Sequence, residues 1–111
     1  MADSSFREFV FDEVFREIPG ITSRAMFGGW GIYKDGIFFS LIADGALYFK
    51  VDESNKKDYE DLGSEPFVYT AKGKSMTMSY WNLPEEIMND REKLIEWIDK
   101  SVAVAINSKK K

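Results

Sequence analysis

The chain has no cysteine and no histidine among its 111 residues. The first absence removes disulfides, iron–sulfur clusters and thiolate nucleophiles, and the second removes the side chain that most often serves as general base and zinc ligand. Chemistry would then need carboxylates holding a metal, or an activated lysine, tyrosine or serine. No such set stands at a recognisable spacing, so no catalytic residue, metal site or cofactor is predicted. No apolar run approaches the ~20 residues that span a bilayer. The opening MADSSFREF has neither a basic stretch nor an apolar one after it. A cytoplasmic protein without membrane contact is expected. Positive charge is in deficit, with 15 basic against 19 acidic residues and a net charge of −4. That is the wrong sign for gripping phosphates over a broad surface, so direct nucleic-acid binding is not expected. Lys109, Lys110 and Lys111 read as a disordered, solvating tail.

Glycine, aromatics and β-branched residues are abundant by contrast, and they concentrate between Arg24 and Val51. Asp35-Gly36 and Asp44-Gly45 divide this stretch. Asp-Gly favours two-residue hairpin turns because both central positions need positive φ. Three antiparallel strands are predicted, about Arg24–Lys34, Ile37–Ile42 and Ala46–Val51. Gly28, Gly29 and Gly31 fall inside the first, where glycine marks a bulge, a sharp bend, or the close approach of another backbone or a ligand, and a bulge that lets Phe27 and Trp30 reach opposite layers is expected. They do not form a phosphate cradle, since no Lys-Ser/Thr pair and no helix follows. In the second strand Ile37, Phe39 and Leu41 share one face, and Phe38, Ser40 and Ile42 the other. In the third, Leu47, Phe49 and Val51 face inward while Tyr48 and Lys50 see water or a partner.

The flanks supply cover. Phe6, Val10, Val14 and Ile18 repeat at helical spacing over Ser4–Ile18, ended by Pro19-Gly20. Asp52–Gly63 reads as a short helix with Tyr59 and Leu62 inward. Phe67–Thr70 and Ser75–Trp81 form a hairpin through Ala71-Lys72-Gly73-Lys74. Pro84-Glu85-Glu86 opens a short helical turn. A long amphipathic helix then carries Leu94, Ile98, Val102 and Ala105, broadened by Ile95, Trp97 and Ile106. The sum is one domain over residues 1–111, an α+β fold with a mainly antiparallel five-stranded sheet in the order α-βββ-α-ββ-α.

Several segments together resemble the N-terminal domain of the TfoX/Sxy family of bacterial competence regulators and their single-domain relatives. They are Arg24, Met26-Phe27-Gly28-Gly29, Gly31-Ile32-Tyr33, Asp35-Gly36, Leu47-Tyr48-Phe49-Lys50-Val51-Asp52, Pro66-Phe67 with Tyr69, and Met78, Tyr80-Trp81 and Leu83-Pro84. The resemblance implies a fold like that of secretion chaperones, no catalytic activity, and a regulatory role through protein interaction. Two-domain competence regulators carry a further helical domain, so an activity residing there does not carry over.

The expected function is a non-catalytic cytoplasmic binding module that acts on an unidentified protein partner, expected to be a homodimer. The alternatives are a nucleic-acid-associated transcriptional regulator and a small protein or enzyme that binds an anionic ligand. Candidate binding residues are Arg24, Met26, Phe27, Gly28 and Gly29, where a cation adjoins a glycine-rich segment that a plain strand does not need. Tyr48, Lys50, Tyr80 and Trp81 join them as aromatic and cationic positions of the sheet. An exposed Trp81 would favour the module reading and a buried one would weaken it.

Overall fold

The computed structural model describes residues 4–26 and 29–109, which build a six-stranded antiparallel sheet with helices packed on one face. The strands are β1 (Ile21–Met26), β2 (Gly29–Lys34), β3 (Ile37–Ala43), β4 (Ala46–Lys50), β5 (Pro66–Ala71) and β6 (Lys74–Asn82). Their order in space is β1-β2-β3-β4-β6-β5. The helices are α1 (Ser4–Phe9), α2 (Lys56–Asp61), α3 (Glu85–Met88) and α4 (Arg91–Lys109). Lys109, read from sequence as the start of a disordered tail, is the last residue of α4; Lys110 and Lys111 lie outside the described residues.

Both Asp-Gly pairs close tight hairpins. Asp35 and Gly36 have φ of 50° and 82°, Asp44 and Gly45 have 52° and 73°, and Lys72-Gly73 repeats the geometry with 53° and 77°. These are the left-handed conformations that match the twist of the flanking strands.

Six strands rather than five arise because the predicted first strand is two. β1 and β2 pair antiparallel, with Met26 opposite Gly29. The segment therefore holds a chain reversal, with Gly29 opening the returning strand, and not a bulge within one strand. Gly29 also has a steric reason to be glycine, because a Cβ there would lie 2.0 Å from the Ile42 carbonyl oxygen. The neighbouring backbone occupies the space a side chain would need.

A bulge does occur, one strand later. Ile32 pairs with Ser40 and Tyr33 with Phe38, which leaves Phe39 as the extra residue of β3. The insertion shifts the alternation, so Phe39 joins Ser40 and Ile42 on the helix-covered face while Phe38 and Leu41 point to the other. The sequence alternation had placed Phe39 with Leu41.

The predicted N-terminal helix to Ile18 stops earlier. After α1 the chain widens into a π-helical segment, Val10–Val14, closed by Phe15 N–H donating to the Val10 carbonyl at 2.8 Å. The wider turn lets Val10, Val14 and Phe15 all enter the core. Glu17 and Gly20, both at positive φ, then redirect the chain into β1.

The core lies between this segment, α4 and the inner sheet face, where Ile32, Phe39, Leu47 and Phe49 are fully buried beneath Leu94, Trp97 and Ile98. On α4 the inward stripe is completed by Ser101 and Val104; Ile95 and Ile106, predicted to broaden it, are exposed. Two buried groups satisfy the end of β4. Ser101 Oγ and Asn55 Nδ2 both donate to the Lys50 carbonyl, at 2.9 and 3.2 Å. Asp52 accepts from the Ser54 N–H at 2.8 Å and leads into α2. There Tyr59 packs 4.4 Å from the Trp97 ring, whereas Leu62 turns outward. Among the described residues no helix is long and apolar enough to cross a membrane.

Candidate functional site

The helices cover one face of the sheet and leave the other open. Strand pairing assigns the side chains to each. Arg24 stands opposite Gly31 and Gly31 opposite Leu41, while Tyr33 stands opposite Phe38, Leu41 opposite Tyr48, and Lys50 opposite Tyr80. Paired residues of an antiparallel ladder share a face. The open face is therefore built from Arg24 and Met26 of β1, Tyr33 of β2, Phe38 and Leu41 of β3, Tyr48 and Lys50 of β4, and Met78 and Tyr80 of β6.

The sheet is curled enough for its two outer strands to border one concavity. Met26 of β1 and Phe67 to Thr70 of β5 line a cleft of ≈ 560 Å³, floored by Phe38, Leu41, Met78 and Tyr80. That volume falls within the roughly 300–1,000 Å³ of binding clefts. Gly31 contributes by having no side chain, since a Cβ would lie 2.5 Å from the Met26 methyl and 3.1 Å from the Phe38 ring. The glycine lets those two side chains meet over the backbone.

The aromatic rings form two runs. Tyr33, Phe38 and Tyr80 follow one another at centroid separations of 5.2 and 5.7 Å. The Lys50 ammonium continues the run 4.9 Å over the Tyr80 ring, and Lys50 also donates to Ser79 Oγ at 3.0 Å. Separately, Tyr48 packs 4.9 Å from Phe67. Burial raises the Tyr80 phenol to about 12, with Tyr33 adding to the shift. Burial likewise raises the Tyr48 phenol, assisted by Asp44. It lowers Lys50 from the usual lysine range, an effect that Asp52 opposes.

The predicted residues divide accordingly. Met26, Tyr48, Lys50 and Tyr80 come together on the open face. Arg24 is exposed on that face at the β1 edge, outside the cleft lining. Gly29 is a backbone contact to β3, while Phe27 and Gly28 lie outside the described residues. Trp81 sits on the opposite face, half-buried against the core and 6.4 Å from Tyr59, so it does not join the others. Phe38, Leu41, Phe67 and Met78 are not among the binding residues that the sequence suggests. Strand alternation could have found Met78, but Phe38 and Leu41 share a face only because of the bulge at Phe39.

The helix side holds its own cation. The Arg7 guanidinium lies 4.6 Å from the Trp30 ring and 4.8 Å from Phe11, and donates to Ser23 Oγ at 2.9 Å. This fixes the N-terminal segment to β1 and β2. Among the described residues no group of three or more acids is placed to hold a metal ion.

Comparison with known proteins gives this architecture a family. The model of the TfoX N-terminal domain matches residues 13–105. DNA transformation protein TfoX1 of Aliivibrio fischeri is 30% identical over 83 residues, covering 75% of this chain and 40% of that protein. Protein Sxy of Escherichia coli is 23% identical over 103 residues, covering 93% of this chain and 49% of its own length. The chain thus spans less than half the length of either curated relative. With the matched segment running from the π-helical turn to the end of the α4 stripe, the chain belongs to the TfoX N-terminal domain family.

Proposed function

We propose that this domain is a non-catalytic regulatory module of the cytoplasm whose open sheet face takes a partner protein. The observation that carries the reading is the uncovered aromatic face, with its cleft between the two outer strands. Exposed apolar concavities of this kind, rimmed by polar groups, mark interaction surfaces on folded domains. Arg24 and Lys50 would supply the rim, and Phe38, Leu41 and Met78 the apolar floor. Membership of the family supports a regulatory context, as does the likeness to a relative named a DNA transformation protein. Control of transcription would then pass through the partner, because a chain of net charge −4 offers little to a phosphate backbone.

Affinity capture from the native cytoplasm tests this. Leu41→Lys places a charge on the cleft floor and is expected to abolish recovery of the partner, and Arg24→Ala at the rim to weaken it. Ile95→Lys, on the outer surface of α4, should leave recovery unchanged. Undiminished capture by Leu41→Lys, with the fold intact by circular dichroism, would refute the assignment.

A further inference from the structure

The two outer strands of the sheet are guarded unequally. β1 carries Arg24, an exposed charge of the kind that keeps a further strand from adding to a sheet edge. β5, Pro66-Phe67-Val68-Tyr69-Thr70-Ala71, carries no charge. Val68 and Tyr69 are 49% and 44% exposed, and Met76, across the hairpin from Tyr69, is 62% exposed. Pro66 stands at the first position of the strand, where it removes one donor and leaves the rest of the edge able to pair.

The charges sit at the two ends of this strand with opposite signs. Glu65 precedes it, while Lys72 and Lys74 follow at the tip of the hairpin, and all three are exposed. Among the described residues none of them enters an ion pair within the chain. A strand that is acidic at one end and basic at the other complements a copy of itself laid antiparallel.

We infer that β5 pairs antiparallel with β5 of a second copy of this chain, about a twofold axis normal to the sheet. The axis must be normal, because only that rotation reverses the strand while keeping each face on its own side. The two central registers set Val68 against Val68, or Tyr69 against Tyr69, of the second copy. In either, Glu65 of each copy lies within about one residue rise, ~3.4 Å along the strand, of a basic residue at the other's tip. The attraction is between charged ends of the strand rather than a directly opposed pair, and it is made twice by symmetry. Pairing of β5 with β1 of another copy would bring up Arg24 and leave free edges that keep growing, whereas the twofold arrangement closes. The two sheets become continuous, and both clefts open on the same side.

A single pair of six-residue strands is a small contact, and a dissociation constant on the order of 10–100 μM is expected. This assembly is independent of the partner reading above. Sedimentation of the whole chain from about 1 μM to about 1 mM tests it across that range. The mass should rise from monomer to dimer and stop there. Val68→Lys and Thr70→Lys should each stay monomeric throughout, with unchanged melting. Reversing Lys72 and Lys74 to Glu should weaken the dimer about tenfold, about threefold for each of the two symmetry-related charge contacts, and adding Glu65→Lys should restore it. A wild-type chain that remains monomeric at the highest concentration would overturn the inference. So would growth beyond the dimer, or dimerisation of well-folded Val68→Lys and Thr70→Lys as strong as that of the wild type.

Discussion

The two faces of the sheet draw on the same residue types and put them to opposite uses. On the helix side Ile32, Phe39, Leu47 and Phe49 are fully buried, and the Phe39 and Phe49 rings meet at 5.3 Å. On the open side Tyr33, Phe38, Leu41 and Tyr48 are as apolar in character, yet they remain half-buried, Phe38 and Leu41 as part of the cleft lining. The difference lies in what covers each face. Burial under α4 converts the first set into stability, at about 25 cal/mol per Å² of apolar surface removed from water. The second set keeps part of that gain in reserve for whatever docks on it.

The largest effect should come from the covered face. Phe49→Ala leaves a cavity among fixed neighbours and is expected to lower stability by about 3–5 kcal/mol, a fall in melting temperature on the order of 15 °C. A thermal melt that moved by only a few degrees would break the contrast between the faces. Gly29→Ala comes next, since its methyl would meet the Ile42 carbonyl at 2.0 Å. Backbone cannot step aside as a flexible side chain can, and a loss of about 1–3 kcal/mol is expected by chemical denaturation.

A pH titration sharpens the comparison for the aromatic hydroxyls. The Tyr80 phenol is raised by burial to about 12 from an ordinary value of 10.0. The folded state therefore holds a proton that the unfolded chain releases. The stability this contributes is complete below pH 10 and is lost as pH rises from there through about 12. Tyr59, raised by burial on the covered side, acts in the same direction. Tyr80→Phe should flatten the alkaline loss of stability without abolishing it, because Tyr59 remains. The smallest effect belongs to Arg24→Ala, which should leave the melting temperature within a few degrees because the side chain is exposed.

What could be read from the sequence follows how local each signal is. The hairpin at Asp35-Gly36, its counterpart at Asp44-Gly45 and the turn at Lys72-Gly73 were legible because two adjacent residues set the backbone sign. The inward parity of Leu47 and Phe49, carried on by Val51 just past the strand, was legible because β4 is uninterrupted. The reversal between Met26 and Gly29 was not, since glycines there serve equally for a bulge or a turn until the Ile42 carbonyl is seen to fill the space. The bulge at Phe39 leaves no trace in composition, yet it decides that Phe38 and Leu41 share the open face. Of the candidate site, Tyr48, Lys50 and Tyr80 were legible as sheet positions, and Met26 as a neighbour of the glycine-rich segment. Only Met26 and Tyr80 of these line the cleft, which depends on the curl of the whole sheet bringing β1 and β5 together from opposite ends, while Tyr48 and Lys50 stand on the same face beside it. Trp81 was grouped with them and belongs to the other side.

The methionines give the most direct test that the open face is the binding surface, because they report on both faces at once. Met26 and Met78 line the cleft, whereas Met88 packs against the helix-side core. In a methyl-labelled NMR titration with the protein recovered by capture, the Met26 and Met78 signals should shift or broaden while Met88 stays in place. A response confined to Met88, with Met26 and Met78 unmoved at saturation, would contradict the account.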